Sequence, residues 1–253
     1  MSSMDLQPSK LGTKEHWDNV YSSELTNFEE IGDEGEVWFG EDSVEKMVDW
    51  ALENVSPESS PFILEVGAGN GNLLFALCEA GYDPNKILGV DYSPDAIKLA
   101  QAIASTRATS RADGDEEDEE AVSALKDADK ITFAVCDFLQ DDVVPLEGMV
   151  PEQHSVAVWD LVLDKGTFDA IALAEMDEGG RTPADGYPAR IGRVVKPNGF
   201  FLITSCNFTE EELKAKFANA ETGLQYHSRV PWPTFSFGGR SGNVYSTVAF
   251  RKL

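Results

Sequence analysis

The chain has 253 residues, 42% hydrophobic and 26% charged, enough apolar material for a large buried core. Those fractions exclude collagen-like, coiled-coil and disulfide-scaffold architectures, and no apolar run approaches the ~18 residues that span a bilayer. The 20 Lys and Arg against 45 Asp and Glu give a net charge of −25, which repels a phosphate backbone and argues against general nucleic-acid binding.

In chain order, residues 1–55 are expected to form an N-terminal helical extension, and residues 56–253 one α/β domain. Pro61-Phe-Ile-Leu-Glu-Val66 is a short apolar run closed by Gly67, the pattern of a buried strand. Asn72 to Ala80 sets Leu73, Leu74, Leu77 and Cys78 at helical spacing, with Gly81 as the stop. Lys86 to Asp91 reads as a second strand. Ser93-Pro94 supplies an N-cap and a first-turn proline for a helix through Ile97, Leu99 and Ala100. Asp113 to Glu120 holds seven acids in eight residues and can bury nothing, so a disordered acidic insertion is expected at about 105–127. Beyond it, Ile131–Cys136, Val156–Val162 and Phe200–Thr204 read as further strands. The turn Lys196-Pro-Asn-Gly199 introduces the last of these, and Thr209 caps the next helix. Gly242 to Phe250 alternates Val244, Ser246, Val248 and Phe250 as a strand late in the sheet. Strands alternating with helices predict a mostly parallel α/β sheet with right-handed crossovers.

Cys78, Cys136 and Cys206 are odd in number and widely spaced, which suits buried thiols of a reducing compartment. With no basic-apolar leader at Met1–Asp5, a cytoplasmic or nuclear setting is expected. His16, His154 and His227 have no ligand spacing, so no metal is expected. Discounting the seven insertion acids still leaves 18 net negative charges, which steer the chain toward a basic partner.

The chemistry starts at Glu65-Val-Gly67-Ala-Gly69-Asn70-Gly71, between a strand and a helix. Glycines there let the backbone approach a ligand and are expected to leave amides free at the helix N-terminus. Asp91 ends the next strand, where a carboxylate accepts both hydroxyls of a ribose. Asn72 stands where a dinucleotide fingerprint requires its last glycine. Glu65 suits a cationic amino group instead, and carboxylates on both flanks without nearby Arg or Lys suit a sulfonium with an amino-acid end. S-adenosylmethionine is such a ligand. Asp137 ends the third strand and can accept from an adenine amine, with Cys136 or Phe138 packed on the ring. Strand ends of this kind converge on the crevice at the sheet's switch point.

From residue 60 onward, the E-x-G-x-G-x-G segment, Asp91 and Asp137 make the chain resemble the class I, Rossmann-like, seven-stranded S-adenosylmethionine-dependent methyltransferases, with helices on both faces. Asp164-Lys-Gly-Thr-Phe-Asp169-Ala resembles a block of eukaryotic protein-lysine methyltransferases. Glu36-Val-Trp38-Phe39-Gly40-Glu41, Thr204-Ser-Cys-Asn207-Phe-Thr209 and Pro233-Thr-Phe-Ser-Phe-Gly-Gly239 narrow it to the family acting on translation elongation factor 1A. The resemblance implies that Thr13 to Tyr21, with Trp17, covers the cofactor, and that Gly40 and Tyr92 adjoin it; Trp38 and Phe39 either wall the cofactor or the lysine stem, or belong to the core. It places Asp164 in the lysine channel, binding the ammonium and passing on its proton. Pairing with Lys165, or capping the next turn, is the alternative for Asp164. Asn207 can accept from the target nitrogen, or serve as a turn residue. Phe235 and Phe237 either line the substrate entrance or fill a hairpin. A basic protein substrate, no nucleic acid, no membrane and a monomer are the partner expectations. A small-molecule methyltransferase, or a nucleotide-binding protein of another activity, remains open on the same fold. The missing Asn-Pro-Pro-Tyr segment counts against nucleobase or glutamine methylation.

Overall fold

A computed structural model describes residues 6–110, 127–149, 158–233, 235–237, 240–242 and 244–253. The acidic run 113–120 lies outside them. Thr13 caps α1 (Lys14–Ile31), its hydroxyl accepting from His16 N at 3.3 Å, and Gly32 ends the helix with φ 74°. α2 (Glu41–Asn54) buries Val44, Met47, Val48 and Ala51, the i, i+3, i+4, i+7 face of an amphipathic helix. Then come β1 (Ile63–Val66), α3 (Asn72–Glu79), β2 (Ile87–Asp91), α4 (Pro94–Ser110) and β3 (Thr132–Val135). The second half runs β4 (Trp159–Lys165), α5 (Thr167–Ala172), α6 (Tyr187–Val194), β5 (Val195–Ser205), α7 (Glu210–Phe217) and β6 (Leu224–Val230). A two-stranded ribbon, β7 (Phe235–Phe237) with β8 (Arg240–Gly242), precedes β9 (Ser246–Lys252).

The main sheet has seven strands in the order β3-β2-β1-β4-β5-β9-β6. Pairing is parallel from β3 through β5, while β9 runs antiparallel to both β5 and β6. Strand alternation splits the core into two apolar layers. Ile63, Leu161, Leu163 and Leu202 join the layer containing α2, α3 and α4. Leu64, Val162, Phe201 and Ile203 join the layer containing α5, α6 and α7. Each such side chain, fully buried, contributes about 1.5–3 kcal/mol. Strand order reverses between β1 and β4, which opens a crevice at their carboxyl ends.

Several expectations need correction. α4 continues to Ser110, so residues 105–110 are helix and not part of the acidic insertion. Ser93 does not cap α4 through its side chain: the hydroxyl is buried and makes no hydrogen bond among the described residues. Its N–H instead donates to Asp91 Oδ1 at 2.9 Å, which pins the turn from the strand side. Lys196–Gly199 belongs to β5, where Asn198, φ 67°, accompanies a register shift against Trp159 and Leu161. The late strand starts at Ser246, and Gly242 closes the separate ribbon. Asp164 lies inside β4, not beyond it.

Candidate active site

A cavity of about 340 Å³ opens at the carboxyl ends of β1, β2 and β4. Gly67, Gly69, Asn70, Asp91 and Asp137 line it from the sheet. Trp17, Tyr21 and Trp38 line it from the N-terminal extension. Trp17 packs edge-on against Trp38 at 4.5 Å and stacks with Tyr21 at 6.1 Å, and its indole N–H donates to Leu11 O at 2.7 Å. Tyr92, Cys136 and Phe138 complete this group of expected residues.

The glycine loop works through its shape. A Cβ on Gly67, φ 70°, would fall 2.0 Å from Thr167 Oγ1, and one on Gly69, φ 54°, 2.5 Å from Tyr21 Oη. Its three glycine amides are not free, contrary to expectation. Gly67 N donates to Val90 O at 2.8 Å, Gly69 N to Asp91 Oδ2 at 3.1 Å, and Gly71 N to Ala68 O at 2.8 Å. The absent side chains, not spare donors, make room for a ligand. Asn70 tethers the extension, donating to Glu34 O at 3.0 Å while its Oδ1 accepts from Asn72 N.

Asp91 is 4% exposed, and burial pushes its carboxyl up to about 6 despite the Ser93 and Gly69 N–H groups that favour the anion. Asp137 accepts from Leu139 N at 3.1 Å and Gln140 Nε2 at 2.7 Å, which fixes its carboxylate at the cavity wall. Glu65 is fully enclosed behind the glycine loop, does not line the cavity, and is pushed up to about 8 by burial. Its Oε2 has no hydrogen-bond partner among the described residues.

Asp164 and Asn207 are not brought to the cavity. Asp164 is fully buried and spends both oxygens inside the fold. Oδ1 accepts from Thr167 N at 2.9 Å, and Oδ2 from Phe168 N at 3.1 Å and from the Tyr187 hydroxyl at 2.6 Å. The carboxylate thus caps α5, and burial pushes it up to about 7. Asn207 is half-buried beyond β5, where its N–H donates to Asp169 Oδ1 at 2.7 Å. Phe39 and Gly40 also stay off the wall, turning into α2 behind Trp38. The side chains of Phe235 and Phe237 lie outside those described. Sequence reasoning misses Lys165 as a lining residue and places Tyr21 only at the end of the covering segment; both side chains line the cavity. Trp17 and Tyr21 stand four apart on α1, and that i, i+4 spacing was the available signal for Tyr21.

Residues 58–231 match the family described as "Methyltransferase domain". The chain is 41% identical to Protein-lysine N-methyltransferase efm4 of Schizosaccharomyces pombe, across 97% of this chain and 95% of that one. It is 38% identical to EEF1A lysine methyltransferase 2 of Homo sapiens, across 97% of this chain and 88% of that one. The chain belongs to this protein-lysine N-methyltransferase family. The fold agrees with the N-methyltransferase NodS of Bradyrhizobium japonicum, solved with S-adenosyl-l-homocysteine, at 15% identity and a TM-score of 0.54 over 93% of this chain and 98% of that one. S-adenosylmethionine is the cofactor that the sequence leads one to expect of this methyltransferase.

The residues present fit that cofactor. The carboxylates of Asp91 and Asp137 supply acceptors on a cavity wall that also carries Trp17, Trp38 and Phe138 together with Lys14 and Lys165, and the unpartnered Glu65 Oε2 lies behind the glycine loop. A cationic, donor-rich ligand with a flat ring system matches that set. Among the described residues no His, Cys, Asp or Glu cluster could hold a metal ion, and no helix is long and apolar enough to cross a membrane.

Proposed function

We propose that this methyltransferase modifies the ε-amino group of a lysine in translation elongation factor 1A. The observation that carries the reading is the near full-length likeness to two proteins named for lysine methylation, one of them for EEF1A. The net charge of −25 supports a basic protein partner over an anionic metabolite.

When bound, S-adenosylmethionine supplies an electrophilic methyl group on a sulfonium. The chain's own residues then have three tasks. Asp91 and Asp137 accept from the hydroxyl and amine groups of the nucleoside end, while Glu65 backs the glycine loop from behind the cavity wall. Trp17 and Trp38 exclude water from the cavity, which strengthens those contacts. Tyr21, its hydroxyl held well above the ordinary tyrosine range by burial and by Asp91, stays protonated and can donate a hydrogen bond into the cavity beside Gly69. A lysine amine of pKa ~10.4 must arrive neutral, so positioning and proton loss both govern the rate. Action as a monomer in the cytoplasm and nucleus belongs to the same proposal; no disulfide joins the three cysteines, which suits a reducing setting.

The test is incubation of the purified protein with labelled S-adenosylmethionine and purified elongation factor 1A, then mass spectrometry of the labelled peptides. Label on a single lysine supports the proposal, and raising the ionic strength should lower kcat/KM for the protein more than it weakens cofactor binding. No label on elongation factor 1A, from a preparation that does label proteins of a cell lysate, would overturn it.

A further inference from the structure

Two consecutive residues at the end of β4 grip a turn of the N-terminal extension. Phe39 sits at φ 65°, left-handed backbone that a bulky residue rarely adopts, and Gly40 comes next at φ 73°. Such a turn persists only when its surroundings over-determine it. Lys165 Nζ donates to the Trp38 carbonyl at 3.0 Å. At Gly166, φ 88°, an added Cβ would stand 2.9 Å from Phe39 Cζ, so the phenyl ring sits directly on the glycine backbone. The same ring continues to Tyr245 at 4.9 Å, and Tyr245 to Trp232 at 4.9 Å. Trp38 goes the other way, into the cavity wall and against Trp17. One strained turn therefore sends two adjacent aromatic side chains to two different parts of the molecule.

A lysine at this place is costly. Loss of water around its ammonium lowers its pKa, opposed by the nearby carboxylates of Glu65 and Asp164. Methionine would fill a similar volume without that cost, so packing alone does not account for a lysine.

We propose that Lys165 is a positioning residue of the cofactor site: through the Trp38 carbonyl it sets the Trp38–Gly40 turn, and with it the wall that closes over bound S-adenosylmethionine. A direct action of the ammonium on the ligand leaves a different mark. A cation close to the ligand repels the sulfonium of S-adenosylmethionine but not the neutral sulfur of S-adenosylhomocysteine. A clamp on the wall treats both ligands alike.

Calorimetry with both ligands on Lys165→Met, Lys165→Arg and Phe39→Ala separates these roles. Lys165→Met should raise Kd for both ligands by a common factor, on the order of tenfold, as expected for losing a hydrogen bond from a charged donor. Lys165→Arg, which keeps a charged donor, should recover most of that loss. Lys165 also favours the ionised form of Glu65, so its removal could weaken both ligands without involving the turn. Phe39→Ala leaves that pair intact while removing the ring seated on Gly166, and it should also raise both Kd values in parallel. It likewise carries the test if Lys165→Met does not fold. Unchanged affinities in Phe39→Ala, or S-adenosylmethionine tightening relative to S-adenosylhomocysteine in Lys165→Met, would overturn the proposal. Both readouts are independent of which protein accepts the methyl group.

Discussion

The two halves of the sheet carry carboxylates at similar strand ends and use them in opposite ways. Asp91 and Asp137, at the ends of β2 and β3, line the cavity. Asp164 and Asp169, at β4 and in α5, are sealed beneath it. Asp164 gives its oxygens to the first turn of α5 and to Tyr187. Asp169 accepts from the Ser205 hydroxyl at 2.8 Å and from Asn207 N at 2.7 Å, bracing the turn after β5. The difference lies in what else reaches each acid. Past β2, Asp91 accepts from two backbone N–H groups and borders open space; past β4, Asp164 accepts from two as well, in the first turn of α5, and the Tyr187 hydroxyl closes over it. A carboxylate at a strand's end is a ligand group only where the side chains packed around it leave it facing the cavity.

That contrast is most open to attack at Asp91. Asp91→Ala removes acceptors for two ligand hydroxyls and should weaken S-adenosylmethionine binding by about 100-fold or more, given 1.5–3 kcal/mol per charge-assisted bond. Calorimetry giving wild-type affinity would break the assignment of the first half of the sheet.

Asp164→Asn should act on the fold. It disturbs the cap on α5 and the Tyr187 hydrogen bond, a loss of about 1–3 kcal/mol in denaturant unfolding. Cofactor affinity per folded molecule should stay close to wild type. Intact stability combined with lost turnover would return Asp164 to the acceptor channel.

The sealed acids also set a pH dependence. Burial pushes Asp164 to about 7 and Asp169 to about 6, above the ordinary carboxylate range. The folded state therefore binds these protons more tightly than the unfolded chain. The stability so gained is full below about pH 4 and is lost as pH rises through the folded values. Asp91 and Glu65 are raised by burial and act in the same sense. Asp169→Asn removes one titrating group, so Tm should fall less steeply between about pH 4 and 6 than in the wild type. An unaltered slope would show that Asp169 is not protonated in that range.

Asn207→Ala should change least. Among the described residues the Asn207 side chain accepts only from the Cys206 thiol, at 3.7 Å, and the backbone N–H that reaches Asp169 survives the substitution. Stability should move by less than about 0.5 kcal/mol. A large fall in single-turnover rate at unchanged cofactor affinity would instead place the side chain at the acceptor nitrogen.

The first half of the fold was legible because its signals are local. The apolar run Ile63–Val66 closed by Gly67 and the helical spacing of Leu73, Leu74, Leu77 and Cys78 depend on neighbours a few residues away. The second half was harder to read. β6 reads Leu-Gln-Tyr-His-Ser-Arg-Val, mostly polar, because it is the edge of the sheet and hides little; α5 and α6 are only six and eight residues long.

By itself, the sequence determined the strand–helix alternation, the glycine loop with its two cavity acids, and the charge that favours a basic partner. Only the tertiary structure decided how each acid is used. Asp91 and Asp164 look alike in sequence, each preceded by an apolar strand and succeeded by a short turn. Each accepts from two backbone N–H groups, and what separates them is the reach of Tyr187, 23 residues away, into the Asp164 site, while Asp91 stays open to the cavity. Lys165 is the same kind of case. Nothing local says that its ammonium meets a carbonyl 127 residues earlier in the chain, because that contact exists only once β4 and the extension are packed together.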